Sequence, residues 1–237
     1  MNTSDQAKIA AGRYAAENVV SDGQIIGLGS GTSAWFFIRA LAERIESGLN
    51  ITGVPASTKS RALAEELRIP LVDIDDVDHI NVCVDGADEI DEHGNMIKGG
   101  GANLLWEKII NHASHRVYTV VDPSKLVTAL GAFPLPIEVN PFGHMTTVRS
   151  LSALFAELGY GDVPVRIRMD GQDPLVTDHG NFIADAELGQ VRDAAVLEQR
   201  LPLIPGVVEH GLFLGRAHGV IVGQSDGTAE LREFQLG

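Results

Sequence analysis

Apolar positions in the first half of the chain alternate between two rhythms. Between residues 4 and 20, Ala7, Ala10, Ala11, Tyr14 and Ala15 fall on one side of a helix, with Ser4 placed to cap it. Asp22-Gly23 marks a turn, and Ile25 and Ile26 open a short strand. A helical segment follows over 34–45, then a strand over 51–54 and a helix over 57–67 with Leu63 and Leu67 inward. Ser57, Thr58 and Lys59 read as the start of that helix. Residues 70–74 predict a further strand that runs into Asp75, Asp76 and Asp78. The run 80–84 predicts a buried strand, the segment around Trp106, Glu107 and Lys108 a helix, and 117–121 another buried strand. Strand alternating with helix predicts an α/β fold: a doubly wound, mainly parallel, Rossmann-like sheet with helices on both faces.

After Gly131 the character changes. Pro134, Pro136 and Pro141 punctuate a boundary, followed by a helix over 146–158, a strand over 163–169, a turn at 178–181, a strand over 181–186 and a helix over 193–201. This order suits a smaller α+β domain with an antiparallel sheet. The apolar runs 206–214 and 220–223 finish that domain and return to the first sheet. The expected division is 1–134 with about 208–237 as one α/β domain, and about 135–207 as the smaller one.

Charge and cysteine usage narrow the function classes. With 18 basic and 32 acidic residues the formal charge is −14, which argues against nucleic acid and anionic membrane surfaces as partners. A phosphorylated small molecule remains open, because a local cluster of donors can overcome the net field. Cys83 is the single cysteine and sits in an apolar run, so it reads as a buried small hydrophobe. No signal-peptide pattern and no apolar run of membrane length occurs, and a cytoplasmic location is expected. The eight histidines show no metal-ligand spacing, and the acids at 73–78 read as a solvated loop, so no metal is assigned.

The chemistry gathers in Val84–Ile110. The strand ending at Val84 is followed by Asp85, Asp88 and Glu89, with Gly86 and Ala87 as small spacers, then by Lys98, Gly99, Gly100 and Gly101. Ligands of open α/β sheets bind at the carboxyl ends of strands. Carboxylates move protons, a lysine stabilises an oxyanion, and glycine backbone lets N–H groups approach a substrate. The stretch therefore points to proton transfer on a small anionic substrate. A second glycine-rich loop, Gly27–Ser33, precedes a helix start, where free N–H groups and the dipole favour an anion. A dinucleotide fingerprint needs glycine at Thr32 and an acid after the next strand, and a P-loop needs Gly-Lys-Ser/Thr. Neither is present; a phosphate or sugar-hydroxyl cradle from Ser30, Gly31, Thr32 and Ser33 needs only what is there, and a tight strand-to-helix turn without ligand stays open beside it. Lys8 and Lys125 stand near a helix start and a strand end, where residue type alone favours solvated surface lysines. Glu107 likewise reads as an ordinary helical glutamate on residue type alone.

The blocks VDGADEI (84–90), IKGGGA (97–102) and EKII (107–110), in this order and spacing, resemble ribose-5-phosphate isomerase of the A type. The resemblance extends through Gly27–Ser33, Asp122–Lys125, Phe133–Val139 and Ile204–Phe213. It implies an aldose–ketose isomerase of the non-oxidative pentose phosphate pathway, interconverting D-ribose 5-phosphate and D-ribulose 5-phosphate through an enediolate without a cofactor. It further implies Glu107 as proton acceptor, Asp85 and Asp88 on the sugar oxygens, Asp85 helping to open the ring, and Lys98 stabilising charge. Lys8, residues 30–33, Lys125 and the small residues Gly86, Ala87, Gly99, Gly100 and Gly101 are the implied substrate contacts. A homodimer, or a tetramer, is implied, with the second domain at the contact. Ser-Gly-Thr-Ser stands at 30–33 where many members have Thr-Gly-Ser-Thr, so hydroxyl chemistry is kept while individual contacts differ. An isomerase of another sugar phosphate and a non-catalytic sugar-phosphate sensor are the competing readings. A sensor could lose Glu107 and Lys98, and both are present. Which carboxylate of the cluster holds a proton at rest does not follow from the sequence.

Overall fold

The computed structural model describes residues 3–235. In chain order it comprises α1 (Thr3–Asn18), β1 (Gln24–Leu28), α2 (Gly31–Glu46), β2 (Ile51–Pro55), α3 (Thr58–Glu66), β3 (Ile80–Asp85), β4 (Glu89–Ile90) and β5 (Met96–Ile97). Then come α4 (Leu104–His112), β6 (Ser114–Val121), β7 (Leu135–Val139), α5 (His144–Glu157), β8 (Val165–Ile167), β9 (Met169–Asp170) and β10 (Asp173–Pro174). The chain closes with β11 (Phe182–Ala186), α6 (Ala194–Arg200), β12 (Val207–His210), β13 (Leu212–Phe213), β14 (Gly219–Gly223) and β15 (Ala229–Glu233).

The main sheet has the order β15-β14-β6-β3-β1-β2. All neighbours are parallel except the edge strand β15. Strand period two divides its side chains between two helical layers. Ile26, Leu28, Val82, Val84 and Val120 bury against α1 and α2, while Cys83 and Val117 bury with Ile110 of α4. Helices on both faces of a mostly parallel sheet are the arrangement expected from the strand–helix alternation. Cys83 is a free buried thiol whose pKa burial, then Asp85, pushes well up. Helix α1 presses its alanine face onto β14 so closely that a Cβ on Gly223 would lie 1.9 Å from the Ala7 carbonyl oxygen. That seat fixes where Lys8, one residue on, can reach.

A second, antiparallel sheet, β12-β7-β11-β8, begins within the proline cluster: Pro136 lies in β7 opposite Asp185, and only Pro141 follows the strand. Leu135, Ile137 and Val139 face Val148, Leu151 and Phe155 of α5 and Leu197 of α6. On the other face Glu138 is fully buried, accepting from Thr177 Oγ1 at 2.9 Å and Asn181 Nδ2 at 3.0 Å. A three-stranded ribbon, β13-β5-β4, joins the two layers and carries Asp88 and Lys98.

Two local expectations change. Residues 70–74 make only one bridge, Leu71 to Gly53, and Ile74–Asp76 is a 3₁₀ turn rather than the end of a strand. Asp73 Oδ1 accepts from the Asp75 N–H at 3.2 Å, and this local bond replaces a ladder partner. Ser4 does not cap α1: it lies inside the first turn, and its hydroxyl donates to Asp122 Oδ2 at 3.1 Å. Ser57 does begin α3, with its Oγ accepting from the Ser60 N–H at 3.0 Å.

Candidate active site

The strand order places a topological switch between β1 and β3: the chain leaves β1 toward β2 on one side and β3 toward β6 on the other. A crevice opens at their carboxyl ends. Its floor is Asp85. Oδ1 accepts from the Ser30 N–H at 2.9 Å and the Gly86 N–H at 2.7 Å, so one carboxylate oxygen ties both strand ends together. Only glycine allows this at position 29, where a Cβ would lie 2.2 Å from Asp85 Oδ1. Ser30 is the N-cap of α2 but makes no side-chain cap bond, leaving the N–H groups of the first turn to face the crevice unspent. Its hydroxyl instead donates to Ser57 Oγ at 3.2 Å. Ser57 donates on to Ser60 Oγ, and Ser60 to the Gly29 carbonyl.

Above the floor lies a buried charge cluster. Lys98, extending from the end of β5, is 3% exposed. Its Nζ lies 3.1 Å from Asp85 Oδ2 and 3.4 Å from Glu107 Oε2, and it donates to the Gly86 carbonyl. Burial opposes the ammonium charge, but Asp85 and Glu107 outweigh it and hold the Lys98 pKa above its ordinary value. Glu107 belongs to the buried stripe of α4 with Leu104, Ile110 and Asn111. Its Oε2 makes no hydrogen bond and meets Lys98 only as a charge. Two carboxylates thus share one ammonium, and Asp85 already holds the backbone donors. The excess proton goes to Glu107: burial, opposed by Lys98 and reinforced by Asp85 and Asp88, pushes its pKa from 4.5 up to about 8. A carboxylate titrating so close to neutrality is suited to take and return a proton.

The cleft over this cluster has a volume of about 240 Å³. Lys8, Ser30, Gly31, Thr32 and Ser33 line one part, Gly86, Ala87, Asp88, Lys98 and Glu107 another, and Gly99, Gly100, Gly101 and Lys125 complete it. Every sequence-derived candidate except Asp85 is on this wall. Asp85 sits one layer behind, covered by Lys98 and the two backbone donors. Asp88 anchors the glycine loop by accepting from the Gly100 N–H at 2.7 Å through Oδ2. Glu89, the third acid of the stretch, turns away and accepts from the N–H groups of Gly131 and Phe133, both at 2.6 Å.

The sequence model for ribose 5-phosphate isomerase A (phosphoriboisomerase A) matches residues 52–227. The chain belongs to the ribose 5-phosphate isomerase A family. Ribose-5-phosphate isomerase A 2 of Yersinia pseudotuberculosis is 45% identical over 229 residues, covering 96% of this chain and 97% of the relative. Ribose-5-phosphate isomerase A of Maricaulis maris is 46% identical over 222 residues, covering 93% and 95%. A solved D-ribose-5-phosphate isomerase in complex with phospho-erythronic acid superposes with a TM-score of 0.87 at 38% identity, covering 98% of this chain and 100% of that one.

Within this family fold, three residues that were assigned no role from the sequence support the cleft. Asn103 Nδ2 donates to Ser30 Oγ at 3.2 Å and to the Gly101 carbonyl at 2.8 Å, joining the two glycine loops. It follows Ala102, whose φ of +61° stores strain in the turn. Lys108 Nζ donates to Glu209 Oε1 at 2.7 Å and the His210 carbonyl at 2.6 Å, fixing α4 against β12 and so aiming Glu107. Asp122 accepts from Ser4 and from the N–H and hydroxyl of Ser124. Burial pushes its pKa up, but these donors and the Lys8 charge outweigh it and hold the carboxyl below its ordinary value. It thereby binds the first turn of α1, with Lys8, to the loop carrying Lys125. A glutamate at the centre of an apolar stripe, Leu104 to Ile110, is a sequence signal for a buried Glu107. Nothing local marks Asn103.

Proposed function

We propose that this chain interconverts D-ribose 5-phosphate and D-ribulose 5-phosphate, with Glu107 as the base, in the non-oxidative pentose phosphate pathway. One observation carries the reading: a buried carboxylate with a pKa near 8 lies 3.4 Å from a buried ammonium, both on the wall of a small cleft. In the open-chain aldose, ionised Glu107 takes the proton from C2. The electron pair forms the C1–C2 double bond and the aldehyde oxygen becomes negative. Lys98 stabilises that enediolate oxygen. Glu107 then returns the proton to C1 as the O2 proton passes to O1, leaving the ketone at C2. Atoms and electrons balance with no added oxidant or cofactor. Asp88, whose Oδ1 makes none of the described hydrogen bonds, is the carboxylate that meets the sugar hydroxyls. Asp85 holds Lys98 and the Ser30 N–H in place from behind. The ammonium groups of Lys8 and Lys125 and the start of α2 receive the phosphate.

The smaller antiparallel layer, from residue 135 to the end of β12 at His210, is the self-association surface in this reading. The large hydrophobic side chains most exposed among the described residues gather there: Phe142 (93%), Leu203 (73%) and Val176 (60%), with Met145 and Met169. A homodimer, or a tetramer built from it, would cover them, and sedimentation equilibrium of Phe142→Ser against wild type tests this. Among the described residues no helix is long and apolar enough to cross a membrane. A cytoplasmic site of action accords with the sugar phosphate substrate.

The deciding experiment is conversion of ribose 5-phosphate by the purified chain with EDTA present, beside Glu107→Gln. Turnover by the wild type and its loss in the folded variant are expected. A folded wild type that leaves ribose 5-phosphate unchanged overturns the reading, and full activity in Glu107→Gln removes Glu107 as the base.

A further inference from the structure

Arg168 lies between β8, the edge strand of the smaller sheet, and β9, yet its side chain ends at the glycine loop. Its backbone is fixed on both sides, the N–H donating to the Ile183 carbonyl at 2.7 Å and the carbonyl accepting from the Leu175 N–H at 2.9 Å. Its guanidinium is held flat by Asp185, with Nε to Oδ2 at 2.8 Å and Nη2 to Oδ1 at 2.6 Å. The remaining nitrogen, Nη1, donates to the carbonyls of both Gly99 and Gly100 at 2.9 Å. The pair is largely sheltered, with side chains 16% and 23% exposed. A planar fork braced on a carboxylate presents fixed donors in a way a lysine cannot.

The consequence for the cleft follows from peptide geometry. There are no cis peptides among the described residues, so each N–H points opposite to the carbonyl of its own peptide unit. With the Gly99 carbonyl on Arg168, the Gly100 N–H points away from it and reaches Asp88 at 2.7 Å. With the Gly100 carbonyl on Arg168, the Gly101 N–H is likewise turned away from the arginine, and no described hydrogen bond uses it. Gly101 lines the cleft, three residues after Lys98. Resting on the isomerase reading above, we propose that Arg168, braced by Asp185, is a positioning residue. It clamps the 99–101 loop from the smaller sheet so that the Gly101 N–H is preorganised as a donor to the oxygen that becomes negative during proton transfer.

The test joins kinetics to amide hydrogen exchange. Arg168→Ala should lower kcat roughly a hundredfold, the scale expected for a displaced catalytic group, while KM stays within about threefold because phosphate binding is untouched. Millimolar guanidinium should restore part of kcat. Arg168→Lys keeps the charge beside Asp185 without the fork, so it should remain impaired while folding normally. In both variants peptides covering 98–103 should exchange roughly tenfold faster, with β8 and β11 unchanged. Wild-type kcat in Arg168→Lys, a loss confined to KM, or a loop that exchanges at the wild-type rate overturns the clamp. Faster exchange spread evenly over the smaller sheet does so as well. The exchange measurement decides the clamp even if the wild type does not act on ribose 5-phosphate, so failure of the functional reading is separately visible.

Discussion

Glu107 ties stability to pH in a way that can be measured without turnover. Its carboxyl has an ordinary pKa of 4.5 when unfolded and about 8 when folded. Between those values the folded chain binds one proton more than the unfolded chain, so stability falls as pH rises. The contribution is fully present below 4.5 and is lost as pH climbs through the folded value. The slope is about 1.4 kcal/mol per pH unit inside the window, and the whole gap amounts to at most about 5 kcal/mol. Glu107→Gln removes the titration while keeping shape, and leaves Lys98 paired with Asp85 at 3.1 Å. Urea unfolding of both proteins from about pH 5 to about pH 9 should therefore show the variant gaining on the wild type steadily up to about pH 8 and no further. The same ionisation gives a second readout. In the proposed mechanism Glu107 acts without its proton, so wild-type kcat/KM should rise with pH and level off above about 8. A stability difference that does not change with pH, or a wild type that gains on the variant through the window, refutes the argument that burial outweighs Lys98 at Glu107.

Lys98→Met strands Asp85 and Glu107 without their shared cation and should cost roughly 3–5 kcal/mol in urea unfolding, along with turnover; an unchanged midpoint would mean the cluster is not held by charge. Gly29→Ala pushes a methyl against Asp85 and should destabilise by about 1–3 kcal/mol while lowering kcat, read from thermal unfolding and steady-state kinetics together. Lys125→Ala removes a cleft-lining ammonium proposed to receive the phosphate and should raise KM roughly tenfold or more with kcat less affected, more weakly at high salt; unchanged kinetics would take Lys125 out of the site.

Fold and site were legible in the sequence to different depths, for physical reasons. The main sheet was readable because β1, β3 and β6 are short apolar runs ending in glycine, acid or proline, and the helices between them carry one-sided alanine and leucine patterns. The 70–74 segment misled because Leu71-Val72 looks like a strand, whereas the Asp73 side chain satisfies the Asp75 N–H locally and ends the pairing after one bridge. Lys8, residues 30–33 and Lys125 come from three separate elements, and nothing in their spacing puts them on one wall. The seat of α1 on β14 and the Asp122 carboxylate do that, and both are long-range contacts.

The division of labour among the acids was hidden for the same reason. Asp85, Asp88, Glu89 and Glu107 are alike as residue types, and their roles differ only through what each one accepts. Asp85 takes two backbone N–H groups beside Lys98, Asp88 takes Gly100, and Glu89 takes Gly131 and Phe133. Glu107 receives no such donor, so it is the one left to hold the proton. The carboxylate proposed as the base is raised first by its burial, and it lacks the backbone donors that the other acids hold. Restoring a donor to Glu107 should then lower its pKa and move the acid limb of kcat/KM down with it.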